Sequence, residues 1–370
     1  MDVRMKRSLT FAAILALTVL ASAQTRRRPS APPPEPAAAR WLATRAYPLD
    51  DLSPLQQMIG NASVVALADG THGTHEYFTT KLGIIQFLVT QMDFDTLAIE
   101  GSFSQMERVN GYVQGDASDL RSIIFPHQDE IDYHFWAVEE FVAIVDWMRM
   151  YNLARGDRPA ISVVGIDVWD GAPAAAMVPD LVAKQRFDDA AHATTVAEQA
   201  LTATDPAARN RGMALNTQWA TEHRSLTGKV ILWGHGEHFG KTIGVEKVKN
   251  AGMWLADIFG AGYYTIGNAM WDGVYLGLNG SVTQPQEMTI AVTAVDTDGY
   301  ENFFHASGDA AFLLSLHGPL HSFLLLPRPL RDAGFSIHNN WDFRIDLTKR
   351  FDAMVYVELT TPTHPLPPPN

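Results

Sequence analysis

The residues in this sequence best suited to acid–base chemistry stand at the ends of apolar runs. Asp69 and His72 lie in Asp69-Gly70-Thr71-His72-Gly73-Thr74-His75, directly after Val64-Val65-Ala66-Leu67-Ala68. Glu100 follows Thr96-Leu97-Ala98-Ile99, and Asp167 ends Ile161-Ser162-Val163-Val164-Gly165-Ile166. His235-Gly236-Glu237-His238 closes the run that starts Val230-Ile231-Leu232-Trp233. Lys81 lies in the stretch after His75. An imidazole titrates near neutrality and can take a proton from water. A carboxylate beside it can set its orientation, and a cation or second imidazole can steady a developing oxyanion.

Each residue has a plainer use as well. His72 could bond only its own loop, Glu100 could brace a loop, Asp167 could cap the next helix, and Lys81 could face solvent. Their shared position favours the chemical reading for His72 and Glu100, while for Asp167 and Lys81 the two uses weigh about equally. Gly70 and Gly73 around His72 predict a tight turn where the backbone passes close to a neighbour. A carboxylate behind an apolar run needs a partner, and for Glu100 the candidates are His72 and Lys81. His235 and His238 are three apart at a strand end, which is not the helical zinc-protease spacing. The pair could still hold zinc together with His72 or an acid, so metal-free and metal-dependent chemistry both remain open.

The elements that must position these groups read as alternating strands and helices. The runs named above predict four strands, and residues 263–266 a fifth. Phe78, Leu82, Ile85, Val89 and Met92 recur at spacings of four and three, which gives one apolar helix face. A second helix is expected near residues 135–151, and residues 173–227 read as mostly helical. Runs at 290–295, 311–316, 323–326 and 354–357 are further strands or buried segments. Such alternation predicts an α/β fold with a largely parallel sheet, helices on both faces and a mainly helical segment over the cleft. In open parallel sheets the ligand crevice lies beyond the carboxyl ends of the strands. If the four strands are neighbours, Asp69, His72, Glu100, Asp167, His235 and His238 meet at one rim.

Composition narrows the alternatives. The chain has 370 residues, 46% hydrophobic and 19% charged, with a formal net charge of -13, so it is globular and acidic. Nucleic acid is not expected as a partner, because that needs Lys/Arg patches. There are no cysteines, which excludes disulfides, thiolate metal sites and a cysteine nucleophile. No Gly-x-Ser-x-Gly elbow, P-loop or dinucleotide-binding glycine pattern occurs. Residues 1–23 read as a signal peptide: Arg4, Lys6 and Arg7, an apolar run over 11–20, then Ala21-Ser22-Ala23. The apolar run is short for a membrane anchor. Export to the periplasm or medium is therefore expected, with no stable membrane association after cleavage. Residues 24–40 are expected to be a disordered Arg/Pro/Ala linker, residues 41–360 the catalytic domain, and residues 361–370 a loose Pro-rich tail. Trp136, Trp233, Trp254 and Trp271 are expected in the core.

Several of these segments resemble the erythromycin esterase family. Residues 64–76 are similar to its G-E-x-T-H-G-T-x-E segment. Arg209 to Trp219 resembles its R-x-x-x-M-A-x-N-x-x-W helix, Trp233-Gly234-His235-Gly236-Glu237-His238 its W-A-H-N-x-H strand end, and residues 255–267 its L-x-x-x-x-G-x-x-Y-x-x-x-G segment. The resemblance runs in order over most of residues 60–275 and is loose over 276–360. It implies attack of water on an ester, in that family a macrolide lactone. His72 falls at the family's general base, Glu100 at a site acid, and His235 and His238 at a second catalytic cluster. Asp69 stands where the family has Glu, Lys81 where it has Arg, and Gly236 where it has Asn. The helices expected over the cleft wall the substrate site in that family.

The sequence thus leads to a small-molecule ester hydrolase acting through His72, Asp69, Glu100, Lys81, His235 and His238, with no cofactor. The alternatives are a metal-dependent hydrolase using the same cluster and a binding protein with a degenerate site.

Overall fold

The alternating apolar runs fold as a sheet buried on both faces. In the computed structural model of the chain, the described residues are 36–115, 119–124, 136–279, 286–291, 298–332, 334 and 341–367. The strands are β1 (Ala46–Tyr47), β2 (Val64–Asp69), β3 (Thr96–Ser102), β4 (Ser162–Asp167), β5 (Val230–His235), β6 (Tyr263–Asn279), β7 (Gln286–Ala291), β8 (Ala311–Ser315), β9 (Arg328–Asp332), β10 (Trp341–Ile345) and β11 (Ala353–Thr360). The main sheet has the order β1-β8-β11-β6-β2-β5-β3-β4, with β7 added to β6, while β9 and β10 form a separate ribbon. From β11 to β4 every neighbouring pair is parallel, and β1, β7 and β8 pair antiparallel. The expected α/β class with a largely parallel sheet is correct.

Strand alternation sorts the core into two layers. Val65, Leu67, Leu97, Ile99, Ile231 and Trp233 pack under the helices His75–Met92 and Glu139–Ala154. Val64, Ala66, Ala68, Ala98, Val230 and Leu232 pack on the opposite face, with Met213 and Ala214 of the helix Pro206–Trp219. The expected apolar stripe of the first helix is real: Phe78, Ile85, Val89 and Met92 are buried. Residues 171–219 contain the helices Gly171–Ala183, Phe187–Gln199 and Pro206–Trp219, as the pattern predicts. Of residues 323–326, Phe323 and Leu324 are buried in a 3-10 turn, Ser322–Leu324, while Leu325 and Leu326 are exposed.

Two boundaries differ from expectation. The expected linker does not run to residue 40, because Pro36–Leu42 is a helix with Ala38 and Leu42 buried. Its alanines favour helix, proline is at home in a first turn, and a spacing of four puts both apolar residues on one face. Residues 1–35, with the signal peptide and the rest of the linker, lie outside the described residues. The tail is not loose over residues 361–367. Thr363 N donates to Gly73 O (3.0 Å) and Leu366 N to Ala137 O (2.8 Å), with Thr363 and Leu366 buried. Its prolines hold the backbone extended, and the amides between them still bond the neighbouring loops. Among the described residues no helix is long and apolar enough to cross a membrane.

Candidate active site

Four neighbouring strands deliver the polar groups. β2, β5, β3 and β4 lie side by side and parallel, with Asp69 opposite His235 and Ser102 opposite Asp167. The ladder between β3 and β5 ends at the pair Ile99 and Trp233, and the register with β4 shifts between Ile99 and Ser102. Glu100 lies at this irregularity, inside β3 rather than at its end. A bulge re-aims a side chain in this way. Its Oε2 accepts from the His235 backbone N–H (2.6 Å). Gly234 makes room for it, since a Cβ there would stand 2.5 Å from Glu100 Oε2 and 2.2 Å from Phe239 Cε2.

The turn after β2 sets His72 against His235, with ring centroids 5.1 Å apart. His72 N donates to Gly334 O (3.2 Å), and Gly334 N to Gly70 O (3.1 Å). Gly73 is required here as expected: a Cβ would sit 1.9 Å from Leu276 O. Gly70 has no such close neighbour. The His72 ring is nearly buried, and its Nδ1 lies 4.0 Å from Asp69 Oδ2. That is beyond a direct hydrogen bond. Burial, with the positive fields of His235 and Arg209, holds the His72 pKa well below its usual value. Burial acts the same way on His235, but there the Asp332 carboxylate, 2.5 Å from Nε2, outweighs it and the pKa is raised. Glu100 and Glu237 add to that rise. The two imidazoles are driven apart: His72 is neutral where His235 carries a proton.

Arg209, on the helix Pro206–Trp219, ties the remaining groups together. Its Nε and Nη2 fork onto Asp167 (3.0 and 2.6 Å), and Nη2 also reaches Glu100 Oε1 (3.0 Å). Burial still raises the Glu100 pKa, more than the Arg209 charge lowers it. Nη1 of Arg209 meets His238 Nε2 at 3.1 Å. His238 Nδ1 meets Asn210 Oδ1 (2.9 Å), which also accepts from Ala251 N (3.1 Å), while Asn210 Nδ2 donates to Pro206 O (2.8 Å). Those backbone partners fix the amide, so His238 carries its proton on Nδ1 and offers a lone pair to Arg209. Burial and Arg209 keep His238 well below its usual pKa.

Lys81 is not where the sequence suggested. It is buried, ion-paired with Asp69, and lies 5.0 Å over the Trp233 ring. Trp233 Nε1 donates to the other Asp69 oxygen (2.9 Å). Asp69 keeps step with Val65 and Leu67, and Glu100 with Ala98, so the two acids face opposite sides of the sheet. A lysine from the helix His75–Met92 therefore meets Asp69. The partners of Glu100 are Arg209 and the His235 amide, not Lys81 or His72. Burial pushes the Lys81 pKa well down. Glu237 points away to the buried Arg350 (3.2 Å), whose Nη2 also donates to Gly236 O (3.0 Å), so this pair braces the His235–His238 turn.

Sequence reasoning missed Arg209, Asn210 and Asp332 as site residues. The first two lie in the segment that resembles a family helix, and that segment was the available signal. Asp332 ends Arg328-Pro329-Leu330-Arg331-Asp332, a polar run that gives no core pattern. The contribution of the C-terminal third to this site is that carboxylate and the Gly334 backbone.

Comparisons with known proteins bear on the family and the fold. The erythromycin esterase family matches residues 89–207 and 180–360. Erythromycin esterase type II of Escherichia coli is 31% identical over 122 residues, 32% of this chain and 26% of that protein, so the match spans about a quarter of the curated relative. A solved Bacillus cereus protein superposes with a TM-score of 0.75 at 21% identity, covering 90% of this chain and 99% of its own. A mutant of the erythromycin esterase EreC, in its open conformation, superposes at 0.64 with 16% identity, covering 85% and 95%. Likeness at these identities speaks for the fold. With the family match over most of the described chain, it follows that this chain belongs to the erythromycin esterase family.

Proposed function

We propose that this protein is an exported hydrolase that splits carboxylic esters or lactones by activating water at His72. One observation carries the reading: two imidazoles with centroids 5.1 Å apart have their pKa values pushed in opposite directions. Paired groups separated in this way are the usual signature of an acid and a base. Neutral His72 takes a proton as water oxygen bonds to the carbonyl carbon. The negative charge that gathers on the carbonyl oxygen is steadied by protonated His235. Collapse breaks the C–O bond, and the proton held by His72 goes to the departing alkoxide, leaving acid, alcohol and the enzyme restored. Asp69 holds His72 polarised, and Lys81 holds Asp69. Glu100 fixes the His235 backbone and anchors Arg209. His238, neutral with both nitrogens engaged, is a positioning residue and not the acid. The step uses no cofactor.

Family membership supports hydrolysis, and the name of the Escherichia coli relative makes a macrolide lactone one candidate substrate. The basic start and apolar run of residues 1–23 support export to the periplasm or medium.

The test is the pH dependence of kcat/KM on a panel of aryl esters and macrocyclic lactones. The wild-type protein should show a bell-shaped profile, with the acid limb set by His72 below pH 6.5 and the alkaline limb set by His235 above it. Asp332→Asn removes the charge that raises His235, so the alkaline limb moves to lower pH while the acid limb shifts far less. Hydrolysis of no ester or lactone in the panel, or an alkaline limb unmoved in Asp332→Asn, contradicts the reading.

A further inference from the structure

A second histidine–carboxylate cluster stands apart from the groups used above. His75 opens the helix His75–Met92, Glu140 lies in the first turn of Glu139–Ala154, and His364 belongs to the C-terminal segment. Nδ1 of His75 and Nδ1 of His364 approach the same oxygen, Glu140 Oε1, at 2.6 and 2.7 Å. The two rings are nearly perpendicular (86°) with centroids 5.4 Å apart. Among the described residues only these three bring three metal-ligand atoms within 4.8 Å of one another.

We propose that His75, Glu140 and His364 bind a divalent zinc-class cation that clasps the C-terminal segment onto the body of the protein. Two neutral imidazoles and one carboxylate are the donor set that such an ion takes, at about 2.0–2.2 Å, with water in the remaining position. The donors stand slightly too close for an ion as they are. Tetrahedral coordination needs neighbouring ligand atoms ~3.3 Å apart, so both rings must draw back from Glu140 Oε1 by about 0.6–0.7 Å. The His75 and His364 side chains are 35% and 62% exposed, so both rings have room to move.

The surroundings are those of a prepared site. The Glu140 carboxylate is 4% exposed and is steadied by the His364 backbone N–H, at 3.1 Å from Oε2. His75 N donates to Thr361 O (2.9 Å) and Glu139 N to His364 O (2.9 Å), so both histidines are located by main-chain bonds before any ion arrives. Glu76 holds Thr361 through its N–H (2.8 Å) and hydroxyl (2.7 Å). Phe78, Leu82 and Ala143 line the hollow beside the cluster, giving it apolar walls that strengthen the hold on a cation. An ion here would tie three distant parts of the chain together and hold Thr74 and Gly73, which lead back to His72.

The experiment is zinc titration of the full chain, stripped with chelator, at pH 7.5. Calorimetry should show one tight equivalent. With free zinc a hundredfold above Kd the melting temperature should rise by about 3 °C or more. His364→Ala and His75→Ala should each fold, melt near the chelated wild type, and lose that equivalent and the zinc-dependent rise. Glu140→Gln should do the same, though with a lower melting temperature because the residue is buried. No tight equivalent in the wild type, or zinc binding of undiminished affinity in His364→Ala and His75→Ala, overturns the proposal.

Discussion

His72→Ala lowers kcat/KM for ester hydrolysis about 10²–10⁴-fold, the range a single positioned general base contributes. The side chain stands in the loop at the strand rim, against the His235 ring. Its backbone bond to Gly334 survives the substitution. The melting temperature should therefore change little, and substrate binding should weaken far less than turnover falls. His72→Gln keeps the volume and a hydrogen-bonding head but accepts no proton, so its activity should stay near that of alanine. Steady-state kinetics on the best ester, with thermal melts of the same preparations, separate loss of chemistry from loss of fold. A glutamine variant with most of the wild-type turnover would remove His72 from the base role.

The second large effect belongs to Arg209→Met. The guanidinium serves two carboxylates that are almost buried and one neutral imidazole. Methionine fills much of the space and leaves Glu100 and Asp167 facing each other without a cation. Breaking a buried pair by removing one partner costs about 3–5 kcal/mol, a drop in melting temperature of about 5 °C or more for a chain of this size. The effect depends on pH in a fixed direction. Arg209 lowers the Glu100 pKa, so without it Glu100 binds a proton more readily in the folded state and the gap to the wild type narrows as pH falls. Activity should fall with it, because Glu100 holds the His235 backbone. Arg209→Lys keeps the charge, loses the fork, and should lie between the two. Melting curves at pH 7.5 and pH 5 check all three statements. An Arg209→Met protein as stable as wild type at pH 7.5 would show that the fork holds nothing up.

Much of this arrangement can be read in the chain itself, and the parts that cannot share a cause. The runs that became β2, β3, β4 and β5 are buried on both faces, so their apolar character is continuous and their ends are plain. That is why Asp69, His72, His235 and His238 stand out. The acid that Lys81 meets is not legible in this way, because the contact depends on strand parity: Asp69 and Glu100 look equivalent in sequence yet face opposite layers. Arg209 sits on a helix half of whose residues are polar, and only a partner 109 residues away shows that it points inward. Asp332 closes a short strand with a proline and two arginines, a pattern that reads as surface. The tail around His364 reads as loose because its prolines lack an amide to donate, while the amides between them do the holding.

The central claim is that one pocket holds a neutral His72 beside a protonated His235. Nitrogen-15 NMR of histidine-labelled protein at pH 7 tests it, with the two rings assigned by the spectra of His72→Gln and His235→Gln. The account predicts imidazolium shifts at both nitrogens of His235, a neutral tautomer at His72, and loss of the His235 imidazolium signal in Asp332→Asn. A charged His72, or a His235 that is neutral with Asp332 in place, contradicts it.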